Sequence, residues 1–361
     1  MSIVRVGMIG AGTVAGFHLA AYAKNPDVVI AAICDINAER AGERAREFGA
    51  GAVFSDYREL IASPDIDVVS ICTRNDTHAE IAVAALEAGK SVLIEKPMTV
   101  TVAQAEAIVL AEAASVGFVQ VGYVRRYSAN AVTLKSFIDA GDLGPLYYAK
   151  ATFLRQAGNP GGWFSNQSIA GGGPLIDLGV HFIDMCLYLM DFPEVKSVSG
   201  YSFERLGNRG NIRGLSRYTT ADYDVSQNSV EDLAGALVRF SSGAVLMVDT
   251  SYALHGRDTQ FFEIYGEKGG ATLEPALHIT TELHDTIVEL TPTIDSPTFN
   301  VEEGFQNEID TFVRTAQGTQ TPVAPAVHGL QMARILAAIY ESAKSGSEVR
   351  LDPIAELALL A

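Results

Sequence analysis

Positive charge is scarce in this chain. Lysine and arginine total 26 against 43 aspartates and glutamates in 361 residues, a formal net charge of −17 at pH 7. A surface of that sign repels phosphate backbones and anionic lipid, which argues against nucleic-acid and membrane-surface partners. Cysteine is scarcer still, with three residues at Cys34, Cys72 and Cys186, each among apolar neighbours. An odd number without a CxxC pair predicts buried thiols rather than disulfides, and no metal site. Long apolar runs are missing, since none approaches the roughly 20 residues that span a bilayer. The start of the chain also lacks the basic, apolar and small-residue sections of a secretory signal. These absences predict a cytoplasmic protein. What remains is ordinary for a globular chain: 48% apolar residues and a length suited to about two domains.

The first part alternates strand and helix patterns. Apolar runs at Val4–Ile9, Val28–Cys34, Val68–Cys72, Val92–Ile94 and Val119–Gly122 are separated by amphipathic stretches, with short connections. That alternation predicts a parallel, doubly wound α/β sheet over residues 1–124. Beyond it the pattern changes. A helix is expected near Ala131–Ala140 and a strongly apolar one at Pro174–Leu189, followed by long β patterns between Leu233 and Leu273. Residues 125–361 are therefore expected to form an α+β domain on a largely antiparallel sheet. The polar stretch Phe203–Gln227 reads as a surface loop, or an arm toward a partner subunit.

The first strand runs into Gly10-Ala11-Gly12-Thr13-Val14-Ala15, and a helix follows. Gly10 permits a tight turn, Gly12 lets backbone approach a pyrophosphate, and Ala15 is small enough for helix–strand packing. Thr13 and Val14 begin the helix whose N-terminal amides would face the anion. Asp35, beside Ile36, ends the second strand about twenty residues on, where a carboxylate can hold both ribose hydroxyls. A carboxylate there repels the extra phosphate of NADP, so NAD is the expected cofactor. Arg40, one turn into the next helix, is the counter-signal.

Two segments carry candidate chemistry. Leu93-Ile94-Glu95-Lys96-Pro97 places a charged pair at the carboxyl end of a strand, the edge that faces the ligand crevice in open α/β sheets. Gly171-Gly172-Gly173-Pro174 opens a helix on which Asp177, His181 and Asp184 fall at i, i+4 and i+7, with apolar residues all around. A helix apolar on nearly every side is buried, so its polar stripe must be satisfied or line a cavity. Asp177 one turn before His181 suggests a positioned acid–base pair. Trp163, in a glycine-rich loop just ahead, could stack on the apolar face of a sugar.

Taken together, these residues resemble the family of glucose–fructose oxidoreductase, inositol dehydrogenase and rhizopine catabolism proteins (Gfo/Idh/MocA). The carriers are the glycine turn with His18 after it, Asp35, Thr73–His78, Glu95-Lys96-Pro97, Gly122 through Arg126, and Gly171–Asp184. The resemblance implies a Rossmann domain followed by a domain with a large open sheet that supports homodimers or homotetramers. It implies NAD-dependent oxidation of a sugar or cyclic polyol hydroxyl to a ketone. Lys96, Asp177 and His181 match the family's catalytic trio, with either Lys96 or His181 as the base. Thr73, Asn75 and His78 match the loop beside the nicotinamide, and Arg126 matches a basic residue near that end. Pro97 matches a proline often preceded by a cis bond. Arg74 departs from the pattern, which commonly has proline after the threonine. Two other readings stay open: a glycoside-cleaving enzyme that uses tightly held NAD for transient oxidation, and an NAD-binding regulator without catalysis.

Overall fold

The computed structural model describes residues 2–207, 209 and 224–354. The stretch read as an arm, Phe203–Gln227, lies in large part outside the described residues. The chain begins with β1 (Val4–Ile9), α1 (Thr13–Lys24), β2 (Val28–Cys34), α2 (Ala38–Phe48), β3 (Ala52–Phe54) and α3 (Tyr57–Ala62). It continues with β4 (Val68–Ile71), α4 (His78–Glu87), β5 (Ser91–Glu95), α5 (Val102–Ala114) and β6 (Val119–Gly122). Next come α6 (Ala129–Asp139), β7 (Leu146–Leu154), the one-turn α7 (Gln167–Ala170), a π-helical turn (Leu175–Gly179) and α8 (Val180–Leu189). The strands β8 (Val195–Phe203), β9 (Leu233–Phe240), β10 (Val245–Ser251), β11 (Thr259–Gly266), β12 (Gly269–Glu274), β13 (His278–Leu283) and β14 (Thr286–Leu290) follow. Two long helices, α9 (Val301–Ala316) and α10 (Ala326–Ser345), and a short β15 (Val349–Arg350) complete the order. No helix among the described residues is long and apolar enough to cross a membrane.

Two compact units result. The first holds the residues up to Tyr127 together with Val301–Ala333, and the second holds Ser128–Asn300 and Arg334–Pro353. Residues 125–361 therefore do not form one continuous body. The reason is α9, where Phe305, Ile309, Phe312 and Val313 recur at helical spacing and are buried. Ile309, Phe312 and Val313 join the core formed by β1, α1 and β2. That amphipathic spacing is the sequence signal for a helix that the strand-rich pattern before it obscures.

The first unit's sheet is parallel, in the order β3-β2-β1-β4-β5-β6. Its central strands β1, β4 and β5 are buried on both faces, which is why they read as unbroken apolar runs instead of alternating ones. The second unit's nine-stranded sheet runs β14-β13-β12-β11-β7-β10-β9-β8-β15. Its pairs are antiparallel except β7 with β10. Here alternation holds: Ala234, Ala236 and Val238 of β9 and Leu246 and Val248 of β10 are buried. On α8, Phe182 packs on Phe153 of β7 and Phe262 of β11 at ring-centroid distances of 5.5 and 6.1 Å.

Candidate active site

In the first unit, β1 ends at the glycine turn. Gly10 has φ +98°, and a Cβ there would run into the Cys72 carbonyl at the end of β4. Gly12 precedes α1, and a Cβ on it would meet nothing within 4 Å. The first turn of α1 carries no acidic residue, and no side chain caps it among the described residues. Thr13 and Val14 are exposed there, while Ala15 is fully buried. Outward-facing amides, the positive end of the helix dipole and open space beside Gly12 suit a bound pyrophosphate. The residues present therefore fit a dinucleotide.

Asp35 stands just past the end of β2, 6% exposed. Its Oδ2 accepts the Ala11 N–H at 2.8 Å and its Oδ1 the Asn37 N–H at 2.8 Å. Arg40 adds a fork: Nη2 lies 2.8 and 2.9 Å from the two oxygens and Nε 3.2 Å from Oδ2. Burial works to raise this carboxyl, but the Arg40 bond, the two amides and the guanidinium charge together hold it below its ordinary value. Ile36 next to it is 92% exposed, an apolar side chain held at the surface beside the expected ribose position.

A buried polar chain reaches the Lys96 backbone. Tyr22 Oη lies 2.9 Å from Ser70 Oγ, Ser70 Oγ 3.2 Å from His18 Nδ1, and His18 Nε2 donates to Glu95 Oε1 at 2.9 Å. The other Glu95 oxygen accepts the Lys96 N–H at 3.0 Å. Burial pushes the Tyr22 hydroxyl far above its usual value, so it stays protonated. With Nε2 as the donor to Glu95 and Nδ1 accepting from Ser70, the donors run in one direction from Tyr22 to Glu95. Lys96 itself is half-buried and followed by a cis bond to Pro97. His78 ties two loops together, its Nδ1 2.9 Å from the Pro97 carbonyl and its Nε2 3.2 Å from that of Thr73. Burial lowers the His78 pKa despite both carbonyls. Asn75 is buried, and the unexpected Arg74 is exposed and paired with Asp76 at 3.0 Å.

Arg126 lies inside the first unit at 1% exposure. Its Nη1 donates to the Val323 carbonyl at 2.8 Å and faces His328 Nδ1 at 3.2 Å, with the guanidinium 4.9 Å from the Tyr123 ring centre. Burial and the Arg126 charge push the His328 pKa down to about 2. These contacts attach Arg126 to the start of α10.

In the second unit, the catalytic-segment candidates sit on an unexpected π turn. An extra residue in one turn rotates the side chains of α8 relative to those before the turn. Asp177, in the π turn, and His181, in α8, are half-exposed, whereas Asp184 is 1% exposed. The expected three-residue stripe is thus a reachable pair and a buried aspartate. The N-terminal end of this segment is held by Glu231, whose carboxylate accepts N–H bonds from Gly173 (2.9 Å) and Leu175 (3.2 Å) and the Tyr340 hydroxyl (2.8 Å). The glycines make room for this arrangement. A Cβ at Gly172 would overlap the Tyr340 hydroxyl, and one at Gly173 would overlap the Glu231 carbonyl. Burial raises the Glu231 pKa against the opposing effect of its hydrogen bonds. Trp163 stacks on Phe164 with ring centres 3.9 Å apart. Nothing local marked Glu231, Tyr340, Ser70 or Tyr22 in the sequence, because each acts on a residue far away along the chain.

A parallel sheet in this strand order, with a glycine turn after its first strand and a carboxylate after its second, defines a dinucleotide-binding domain. Residues 4–123 match the model of the oxidoreductase family with an NAD-binding Rossmann fold, and residues 131–272 match the GFO/IDH/MocA C-terminal domain. The chain belongs to the Gfo/Idh/MocA oxidoreductase family and is an NAD-dependent enzyme acting on CH–OH groups. It is 32% identical over 354 residues to D-glucoside 3-dehydrogenase of Escherichia coli K12, covering 97% of this chain and 98% of that one. It is 35% identical over 286 residues to levoglucosan dehydrogenase of Pseudarthrobacter phenanthrenivorans, covering 74% and 73%. A solved levoglucosan dehydrogenase in complex with NADH and L-sorbose superposes with a TM-score of 0.84 at 30% identity, covering 98% of this chain and 100% of that one.

Proposed function

We propose that this enzyme oxidises a secondary hydroxyl of a sugar, a sugar derivative or a cyclic polyol to a ketone, with a glucoside or anhydrosugar as the first substrates to try. The carrying observation is the pair of half-exposed side chains, Asp177 and His181, on a segment whose other residues from Gly172 to Leu187 are buried. A polar pair kept reachable on an otherwise apolar segment suits acid–base work. The names of the relatives supply the substrate class.

Bound NAD would supply the hydride acceptor. His181 takes the hydroxyl proton, and Asp177 stabilises the imidazolium that forms. The Lys96 ammonium would stabilise the negative charge that develops on the substrate oxygen. Gly12 and the α1 amides would hold the pyrophosphate and Asp35 the adenosine ribose, with Ile36 available to the adenine. Thr73, Asn75 and His78 shape the loop near the nicotinamide, and Trp163 offers a ring face to the sugar. The test is an NAD-reduction screen over glucosides, anhydrosugars, inositols and aldoses. Steady NADH formation on at least one is expected. Tightly held NAD with no net NADH on any of them would overturn the reading.

Assembly through the second unit's sheet belongs to the same proposal. Its outward face carries Tyr201, Phe203 and Met247, each at least 40% exposed, with Tyr148 and Tyr265 stacked at 5.5 Å. Light scattering should give a dimer or tetramer, and a mass near 38.5 kDa at working concentration would contradict this.

A further inference from the structure

Asp35 has more hydrogen-bond donors than a ribose could share. A carboxylate offers about four lone-pair directions. Two are taken by the Ala11 and Asn37 amides at 2.8 Å each, and the Arg40 fork covers both oxygens from the other side at 2.8 to 3.2 Å. The amides belong to the glycine turn and to the residues leading into α2, so they are fixed in place. Arg40 is different. Its side chain is 48% exposed, on a flexible stem, and its backbone sits in the first turn of α2, where its N–H is bonded to the Asn37 side chain. A ribose diol and the Arg40 fork need the same two oxygens.

We propose that Arg40 is a latch on the cofactor site that sets the balance between NAD and NADP. The adenosine ribose reaches Asp35 only when the guanidinium swings off it, so Arg40 competes with the diol and weakens NAD binding. Once released, the same cation stands beside the ribose and can meet a 2′-phosphate, so it softens the rejection that Asp35 would otherwise impose. One residue thus acts in opposite directions on the two cofactors. A solvated helix arginine would act on neither, and an arginine that simply contacts the cofactor would help both.

This inference rests on the proposed placement of the ribose at Asp35. That placement is tested separately by Asp35→Ala, which must weaken NADH binding whatever Arg40 does. The latch itself is read from dissociation constants, measured by fluorescence titration of the full chain with NADH and NADPH. Half-exposed ion pairs are weak, so Arg40→Ala should tighten NADH by about two- to fivefold. It should weaken NADPH by on the order of tenfold, through loss of a charge-assisted bond. In an Asp35→Asn background the gain in NADH binding should vanish, since no ionised fork remains to compete. Arg40→Met, which keeps the stem, should behave as Arg40→Ala does. Weaker NADH binding in either Arg40 variant, or an unchanged NADPH-to-NADH ratio, would overturn the proposal. A melting temperature close to wild type separates these readings from misfolding.

Discussion

Two buried carboxylates, one in each unit, accept backbone N–H bonds beside the start of a helix, and their pKa values move in opposite directions. Asp35 accepts from Ala11 and Asn37, and Glu231 from Gly173 and Leu175. The Asp35 carboxyl is held low and the Glu231 carboxyl is pushed up. Burial acts in the same sense on both. The balance differs: at Asp35 the Arg40 bonds, the two amides and the Arg40 charge together outweigh burial, whereas Glu231, more deeply buried and with the neutral Tyr340 hydroxyl as its third partner, is moved mainly by burial. Hydrogen bonds to a carboxylate favour its charged form, and a nearby opposite charge adds to them against the cost of removal from water. The paired carboxylate is thus suited to releasing its cation to a ligand. The uncompensated one is suited to holding a turn of helix in place.

The strongest test is to disable the proposed chemistry without disabling cofactor binding. His181→Ala, Asp177→Ala and Lys96→Ala should each lower turnover by at least about a hundredfold while leaving the NADH dissociation constant within a few fold of wild type. Asp35→Ala should do the reverse, losing NADH binding first. Because groups that act together do not contribute independently, Lys96→Ala/His181→Ala should lose far less than the product of its single losses. Turnover near wild type in both Lys96→Ala and His181→Ala would falsify the proposed chemistry.

A smaller effect should separate the two roles of a buried carboxylate. Glu231→Ala leaves the Gly173 and Leu175 amides and the Tyr340 hydroxyl without their acceptor, which costs about 1–3 kcal/mol for a buried group left unsatisfied. Glu231→Gln keeps one acceptor oxygen and should lose less. The single tryptophan, Trp163, lies in the second unit, so its fluorescence follows that unit's unfolding directly. If both variants unfold at the wild-type denaturant midpoint, the carboxylate does not hold the segment.

Of the same order is a contrast in pH dependence, narrowed by the opposing sense of Glu231. In the first unit, burial lowers the pKa of His78 and of His328, the latter to about 2. An unfolded histidine takes up its proton near pH 6.5. Below that pH the unfolded chain therefore binds protons that the folded unit refuses. Stability should fall as the pH drops through the window and should be unaffected above it. The limiting slope is about 1.4 kcal/mol per pH unit for each histidine. Glu231 works in the other sense: its raised folded-state pKa means that stability is present below the unfolded carboxyl value and lost as pH rises through the folded one. Denaturant titrations at pH 7.5 and pH 5 should show an acid loss that is smaller in His328→Asn, which keeps an acceptor for Arg126. An identical loss in that variant would remove His328 from the account.

The first unit's parallel, doubly wound sheet, its glycine turn and the position of Asp35 were all legible in the residues, whereas the three-residue β3 and the order of the strands were not. The family membership was legible too. These are local patterns: a strand that alternates or runs apolar, a turn that only Gly10 can make, a carboxylate a fixed distance beyond. What tertiary structure alone decided is where the partners come from. The Asp177–His181 segment looked like a plain helix with a three-residue stripe. It is a π turn that buries Asp184, and it is anchored by Glu231, 58 residues on from Gly173, with Tyr340 a further 109 residues along. The return of α9 to the first unit, and the burial of Arg126 against Val323 and His328, are likewise contacts between distant parts of the chain. Spacing along a sequence encodes backbone conformation over a few residues. Burial, the charge balance around a carboxylate and the fit of a glycine against a remote side chain depend on which segments meet, and that is settled only when the whole chain has packed.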